Sequence, residues 1–158
     1  MKPFKLPKMS LQEVQNLLDH ENICRIAFRG NDFPYIAPFQ YTRIGNTMYF
    51  HFTNYGRKIR LIDNDNRVCV SVERFMPDMN EYSFVVLRGQ LERVNDSEER
   101  KEAINRLAEA GNDNLSENFL AAHGFETSEG WEAISAGKPM LIYKLDKISE
   151  IFGLKSPS

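Results

Sequence analysis

The sequence feature that most constrains the fold is a pair of aromatic segments joined by a Gly-Asn turn, "FPYIAPFQYTRI", "GN" and "TMYFHFT", over residues 33–53. Large side chains alternate along both segments, which predicts two strands that each bury one face. The alternating residues are Tyr35, Ala37, Phe39 and Tyr41 in the first segment, and Met48, Phe50 and Phe52 in the second. A Gly-Asn pair between strands favours a tight hairpin. We therefore expect an antiparallel sheet.

Strand-like segments also precede and follow this hairpin, at residues 23–30, 67–75, 81–94 and 138–153. Helix-like segments cover about 10–20 and 56–64, and a longer one follows at 95–111. The strands cluster early as hairpins and the long helix comes late, unlike the alternation of a parallel α/β sheet. The pattern predicts an α+β fold in which helices surround a small antiparallel β-barrel.

Local signals support these assignments. Ser10 and Glu13 form a capping-box pattern at the first helix, and Asp96 is a candidate cap of the long helix. Pro38 has no N–H, so its strand should lie at an edge, contain a bulge or begin there. Gly89, within a long strand, indicates a bulge or a close backbone approach.

The 158 residues suit one domain, with residues 1–9 as an N-terminal arm and 154–158 as a tail. Twenty basic and 22 acidic residues give a net charge of −2, which does not favour nucleic-acid binding. No apolar run reaches the roughly 20 residues that span a bilayer, and the first residues, "MKPFKLPKMSLQ", lack the apolar region expected of a signal peptide. Cys24 and Cys69 lie in strand-like segments, so we expect reduced, buried thiols in a cytoplasmic protein.

The segment "HFTNYGRKIRL", residues 51–61, carries the main candidate binding site. A strand should end near Thr53, and a helix should begin after Gly56. The first turn of a helix has unpaired N–H groups and attracts anions, while Arg57 and Lys58 can both grip a phosphate. Thr53 can donate a hydroxyl hydrogen bond. The alternative is a solvated basic surface, although cations at a helix start are mildly unfavourable.

The flanking sequence resembles a known family. The aromatic-Thr-Asn pattern at Phe52, Thr53 and Asn54, the Arg57-Lys58 pair and the later Asn66-Arg67-Val68 resemble the FMN-binding split-barrel superfamily of pyridoxamine 5′-phosphate oxidase. The nitroimidazole-resistance-like branch is the most similar. Its "PYVVPVxFxYxxGxxYFHSxxxGRK" pattern is matched by "PYIAPFQYTRIGNTMYFHFTNYGRK", and its "GxxExVxDxEE" segment by "GQLERVNDSEE".

The resemblance implies a homodimer of split barrels with one FMN at each subunit interface. Arg57 and Lys58 would bind the FMN phosphate, with Gly56 in place of the family's serine, so that Thr53 gains importance. His51 and Phe52 would lie near the flavin ring or the ribityl chain. The strand beside the ring would contribute Pro38, Phe39, Gln40 and Tyr41.

The resemblance also implies a flavin-dependent oxidoreductase that acts on a small molecule, with a reduced nicotinamide as the candidate hydride donor. The chain ends "IFGLKSPS" and lacks the arginine and histidine with which the oxidase holds its substrate. We therefore do not expect pyridoxamine phosphate oxidation. No catalytic acid or base can be assigned from the sequence.

Three alternatives remain open. His51 would serve as the ligand in a haem-binding or haem-handling protein, although the simpler interpretation is a histidine hydrogen-bonded within its strand layer. The same fold also hosts deazaflavins, or serves as a dimeric module without a cofactor. His20 and His123 lack metal-ligand spacing, so no metal is expected. Trp131 would be core, a dimer contact or a cover for the flavin.

Overall fold

A computed structural model of the protein describes residues 1–122, 125–135 and 140–158. Its described strands are β1 (Ile23–Phe28), β2 (Tyr35–Ile44), β3 (Thr47–Phe52), β4 (Arg67–Phe75), β5 (Tyr82–Arg93) and β6 (Leu141–Lys155). Its described α-helices are α1 (Leu11–His20), α2 (Arg57–Asn64), α3 (Ser97–Asn114), α4 (Glu117–Ala121) and α5 (Glu132–Ser135), with a 3₁₀ turn at Thr127–Glu129.

The strands form a closed antiparallel barrel in the order β1-β2-β3-β6-β5-β4, and β4 pairs with β1 to complete it. Three helices occupy the connections that the sequence predicted for them: α1 precedes the barrel, α2 links β3 to β4, and α3 follows β5. The predicted barrel with peripheral helices is therefore confirmed.

The two halves of β2 have different neighbours. Residues 35–40 pair with β1, with Pro38 opposite Arg25, whereas residues 41–44 pair with β3. No residue of β3 pairs with Pro38. The proline thus occupies an edge position, one of the arrangements its sequence predicted, because there the missing N–H costs no ladder hydrogen bond.

The alternating aromatic residues of the hairpin point into the barrel. Phe50 and Phe52 are fully buried, and Phe39 and Tyr41 join them in one apolar cluster with side chains from β1, β4 and β5. The Tyr41 hydroxyl donates a hydrogen bond to the Leu18 carbonyl at 2.7 Å, and burial raises the Tyr41 pKa. This contact attaches α1 to the barrel.

A second apolar cluster lies between the outer face of β3 and α3. The stripe predicted for the long helix, at Ala103, Ile104, Leu107 and Ala108, is buried there. Trp131 belongs to the same cluster and packs so closely on Gly111 that a Cβ at that glycine would lie 2.1 Å from the indole. Of the three interpretations of Trp131, the structure selects the core.

The predicted local signals are present. Ser10 and Glu13 form a complete capping box, and the Asp96 carboxylate caps α3. The β5–β6 register shifts between Arg88 and Gln90, so Gly89 marks a bulge. A Cβ at Gly89 would also lie 2.8 Å from the Asp146 carbonyl oxygen, which explains the glycine.

Several predicted bounds and one predicted burial differ from the structure. Helix α3 ends at Asn114 instead of the predicted residue 111, and β1 ends at Phe28 instead of residue 30. Strand β6 continues to Lys155, beyond the predicted end at residue 153, and residues 138–139 of that prediction lie outside the described residues. The N-terminal arm is attached, because Met9 N–H donates to the Gly153 carbonyl at 2.9 Å. Cys24 is buried as predicted, but the burial predicted for Cys69 is wrong because its side chain faces outward.

Candidate functional site

The turn before α2 requires a glycine. Gly56 has φ of 102° and ψ of −179°, a conformation that side-chain-bearing residues rarely adopt, and a Cβ there would meet no atom within 4 Å. The constraint is therefore the backbone angle and not crowding. This glycine turns the chain so that Arg57 becomes the first helical residue.

The start of α2 differs from the starts of α1 and α3. Ser10 and Asp96 cap those two helices with side-chain oxygens, and both first turns carry glutamates. Helix α2 has neither a side-chain cap nor an acidic residue in its first turn. The free N–H groups and the positive end of the helix dipole therefore lie beside the two cations Arg57 and Lys58. Together they attract an anion.

Lys58 is held by the strand end. Its Nζ donates a hydrogen bond to Thr53 Oγ1 at 2.9 Å, and the Thr53 hydroxyl donates to the Tyr55 carbonyl at 3.2 Å. Partial burial lowers the Lys58 pKa. The Thr53 hydroxyl hydrogen is therefore used within the turn. Its oxygen accepts the Lys58 hydrogen bond and so positions Lys58. The direct hydroxyl donation expected for Thr53 would require that bond to Tyr55 to break.

Neither cation at the helix start is neutralised. Within residues 1–122, 125–135 and 140–158, no ion pair joins Arg57 or Lys58 to a carboxylate. By contrast, the nearby Arg29 and Arg67 both pair with Asp65, at 3.0 and 2.8 Å. The start of α2 is thus a local concentration of uncompensated positive charge.

Aromatic rings support both cations. The Arg57 guanidinium carbon lies 5.7 Å from the Tyr35 ring centroid, and the Lys58 Nζ lies 6.0 Å from the Phe52 ring centroid. These distances are within the range of cation–π contacts. Phe39 packs against Phe52 at 5.1 Å, while Asn54 lies exposed in the turn.

Two predicted site residues belong to a different layer. Gln40 and His51 are buried on the face of the sheet that packs against α3. Gln40 Nε2 donates to the Leu107 carbonyl at 2.8 Å, and Gln40 Oε1 lies 3.2 Å from His51 Nε2. The histidine is thus hydrogen-bonded to a neighbouring strand, which is the simpler interpretation of its role.

The predicted site residues therefore divide into groups. One group surrounds the start of α2 and comprises Phe52, Thr53, Asn54, Gly56, Arg57 and Lys58. Phe39 and Tyr41 line the barrel interior behind it, and Pro38 is exposed on the free half of β2. Gln40 and His51 form the buried pair under α3. Tyr35 was predicted only as a core-facing residue, yet its ring contacts Arg57.

The described part of the chain contains no group of three His, Cys, Asp or Glu residues that could hold a metal ion, and His123 lies outside that part. None of the helices in the described ranges is long and apolar enough to cross a membrane.

A closed six-stranded antiparallel barrel, with a basic helix start after its third strand, defines a protein of the split-barrel class. Residues 10–128 match the sequence model of the family described as pyridoxamine 5′-phosphate oxidase. The chain belongs to that family, as its sequence motifs predicted. None of the curated proteins matches the chain significantly.

Solved structures share the fold over almost the whole chain. A FAD-binding protein from Mesorhizobium loti superimposes with a TM-score of 0.73 at 18% identity, covering 98% of this chain and 100% of that one. A 5-nitroimidazole antibiotic resistance protein from Bacteroides thetaiotaomicron gives 0.62 at 18%, covering 98% and 92%. A FAD-binding protein from Mycobacterium smegmatis gives 0.66 at 15%, covering 96% and 100%. At these identities the likeness establishes the fold.

Proposed function

We propose that the protein binds FMN through its phosphate at the start of α2 and works as a flavin-dependent oxidoreductase of a small molecule. The observation that carries this proposal is the pair Arg57 and Lys58. Both cations stand at an uncapped helix start, and no carboxylate of the described residues pairs with them.

Electrostatics favour a dianion at this position. Two cations beside the positive end of a helix dipole destabilise an empty site by about 0.3–1 kcal/mol each. A terminal phosphate reverses the sign of that interaction, and it accepts hydrogen bonds from the helix N–H groups, from Arg57 and from Lys58. FMN ends in such a phosphate. The phosphates of FAD are internal, so neither offers the three free oxygens on one phosphorus that a helix start and two cations can hold together.

Family and fold support a flavin over other phosphate esters. The chain belongs to the pyridoxamine 5′-phosphate oxidase family, and two of the similar structures are named FAD-binding proteins. The chain's own residues would bind and orient the cofactor. Arg57 and Lys58 would hold the phosphate, and the strand carrying Pro38 and Phe39 would border the ring. When bound, the flavin supplies two-electron redox chemistry, with a reduced nicotinamide as the proposed donor.

We also propose a homodimer in the cytoplasm with the flavin at the interface. The half of β2 at residues 35–40 has no β3 partner, and Ile36 on its outer face is 61% exposed. Arg57 is exposed as well. A flavin anchored at Arg57 would contact this subunit on one side only. A second subunit would cover the other side and exclude water from the ring.

The first experiment is a visible absorption spectrum of the purified protein before and after incubation with FMN and gel filtration. A retained two-banded flavin spectrum supports the proposal. A sharp haem band instead would favour the alternative that uses His51, and its loss in His51→Ala would establish that alternative. A colourless protein under all conditions would contradict cofactor binding.

The phosphate assignment is tested by comparing FMN with riboflavin, which lacks only the phosphate. Arg57→Ala should weaken FMN binding about tenfold to a hundredfold, because hydrogen bonds to charged groups contribute about 1.5–3 kcal/mol, and should leave riboflavin binding unchanged. Arg60→Ala is the matched control, since it removes an exposed cation one turn further along α2. Equal FMN affinity in Arg57→Ala/Lys58→Ala and the parent would refute the assignment.

A further inference from the structure

We propose that Tyr35 is a positioning residue of the phosphate site, and that its ring holds the Arg57 guanidinium where a phosphate would meet it. This inference rests on the FMN site proposed above. It adds a specific requirement: discrimination between a phosphorylated flavin and a flavin without phosphate depends on an aromatic residue that itself makes no contact with the phosphate.

The first argument is the lack of other restraints on Arg57. Its side chain is exposed, and no ion pair with a carboxylate holds it among the described residues. A long exposed side chain loses considerable rotamer entropy when a ligand fixes it. The ring of Tyr35, whose centroid lies 5.7 Å from the guanidinium carbon, is the contact that limits this freedom.

The second argument is that the Tyr35 ring is itself fixed. Tyr35 is the first residue of β2 and lies opposite Phe28 in the β1–β2 ladder. The two rings are 5.7 Å apart with planes inclined by 39°. Phe28 is buried to 1% exposure and also contacts Phe39. The ring beneath Arg57 is therefore half-buried and packs against the barrel core.

The third argument is that both cations rest on one aromatic cluster. Phe28 contacts Tyr35 on one side and Phe52 on the other, with centroids 6.4 Å apart in the second pair. Phe52 lies under Lys58 as Tyr35 lies under Arg57. The rings of the barrel therefore restrict the separation of the two cations, in addition to the hydrogen bond that joins Lys58 to Thr53.

Such an arrangement lowers the cost of binding a phosphate. The guanidinium is already near the position it needs, so less conformational freedom is lost when FMN binds. An exposed cation–π contact contributes about two- to fivefold to an equilibrium constant. The effect should appear in FMN affinity alone, since riboflavin offers nothing for Arg57 to bind.

The test measures dissociation constants of FMN and riboflavin by quenching of flavin fluorescence in four variants: Tyr35→Leu, Tyr35→Phe, Arg57→Ala and Tyr35→Leu/Arg57→Ala. Tyr35→Leu should lower the ratio of FMN to riboflavin affinity about two- to fivefold, while Tyr35→Phe, which keeps the ring, retains the parent ratio. Once Arg57 is absent, Tyr35→Leu should have no further effect on that ratio. Riboflavin binding also reports whether each variant is folded.

Each outcome decides between the two proposals. If Arg57→Ala lowers the ratio and Tyr35→Leu does not, the positioning role is refuted and the phosphate site stands. If Tyr35→Leu weakens FMN and riboflavin equally, Tyr35 supports the flavin ring or the fold, which also refutes positioning. If neither variant changes the ratio, Arg57 does not bind the phosphate and this inference fails; the ratio in Arg57→Ala/Lys58→Ala then decides whether the phosphate site itself is wrong.

Discussion

The ammonium group of Lys58 donates a hydrogen bond to the hydroxyl oxygen of Thr53 across 2.9 Å. Thr53 follows the last residue of β3 and Lys58 is the second residue of α2, so this bond fixes the helix start relative to the barrel. Thr53 in turn donates to the Tyr55 carbonyl, which fixes the direction of its lone pairs. The hydroxyl thus orients a cation of the candidate phosphate site.

Replacing Thr53 by valine should weaken FMN binding about two- to tenfold, because a net hydrogen bond contributes about 0.5–1.5 kcal/mol. Valine has a similar shape but cannot accept a hydrogen bond from Lys58. Thr53→Ser keeps the hydroxyl and should bind FMN like the parent protein. Titrations of flavin fluorescence with FMN and riboflavin measure both effects. A parent-like valine variant together with a weakened serine variant would show that the threonine methyl, and not the hydroxyl, matters.

Gly56→Ala should destabilise the protein by about 1–3 kcal/mol, because φ of 102° is strained for any residue with a Cβ. The neighbouring space is open, so steric clash contributes nothing to this cost. Urea unfolding followed by circular dichroism measures the change in free energy of unfolding. FMN affinity should fall in the same variant if the turn relaxes, since Arg57 directly follows this glycine.

Gly45 provides the matched control for that prediction. Its φ of 60° lies in the left-handed helical region, which asparagine tolerates. Gly45→Asn should therefore change stability much less than Gly56→Asn. Similar costs at the two positions would mean that the backbone angle of Gly56 is not what requires glycine there.

The barrel was predictable from the sequence because large apolar residues recur at every second position of its strands. In the hairpin of β2 and β3, Phe39, Tyr41, Phe50 and Phe52 lie on the inner face, and a Gly-Asn turn fixes the register. The alternation of inward and outward residues along β4 also predicts the exposure of Cys69. Val68, Val70 and Val72 point inward, so the residue between the first two must point outward, although the run of apolar letters indicated burial.

The contact between Tyr35 and Arg57 could not be predicted in the same way. The two residues are far apart in sequence, and only the β1–β2 register and the placement of α2 bring them together. The burial of Gln40 and His51 under α3 has the same origin, since it requires knowing where a helix formed some 60 residues later in the chain packs. Local sequence patterns predict binding motifs and the buried face of each strand, whereas these contacts depend on how distant elements pack together.

Gln40→Leu should destabilise the protein by about 1–3 kcal/mol, because it removes hydrogen bonds from a buried polar pair. The leucine removes the side-chain donor to the Leu107 carbonyl and the amide oxygen beside His51. Thermal unfolding measures the effect. Gln12→Leu, on the exposed surface of α1, is the control and should stay within about 0.5 kcal/mol of the parent. A parent-like Gln40→Leu protein would show that the pair is dispensable for stability.

The stability of the fold should depend on acid through Glu13. Its carboxylate accepts a hydrogen bond from Lys155 Nζ at 2.7 Å and another from Ser10 N–H at 3.0 Å, and these contacts lower the pKa of Glu13 to about 2. A carboxyl with a lower pKa in the folded than in the unfolded protein stabilises the fold when ionised. This contribution should be complete at neutral pH and should disappear as pH falls from about 4.5 towards 2.

Glu13→Gln isolates the charge in that prediction, since glutamine still accepts a hydrogen bond from Ser10. The variant should be less stable than the parent at pH 7. The difference should shrink as pH falls below about 4.5 and vanish only below the Glu13 pKa of about 2, where the parent carboxyl is also neutral. Urea unfolding at a series of pH values measures the difference at constant ionic strength. Lys155→Gln should show the same pH dependence because it removes the partner of the same ion pair. A difference that persists at low pH would mean that shape, and not charge, joins α1 to the end of β6.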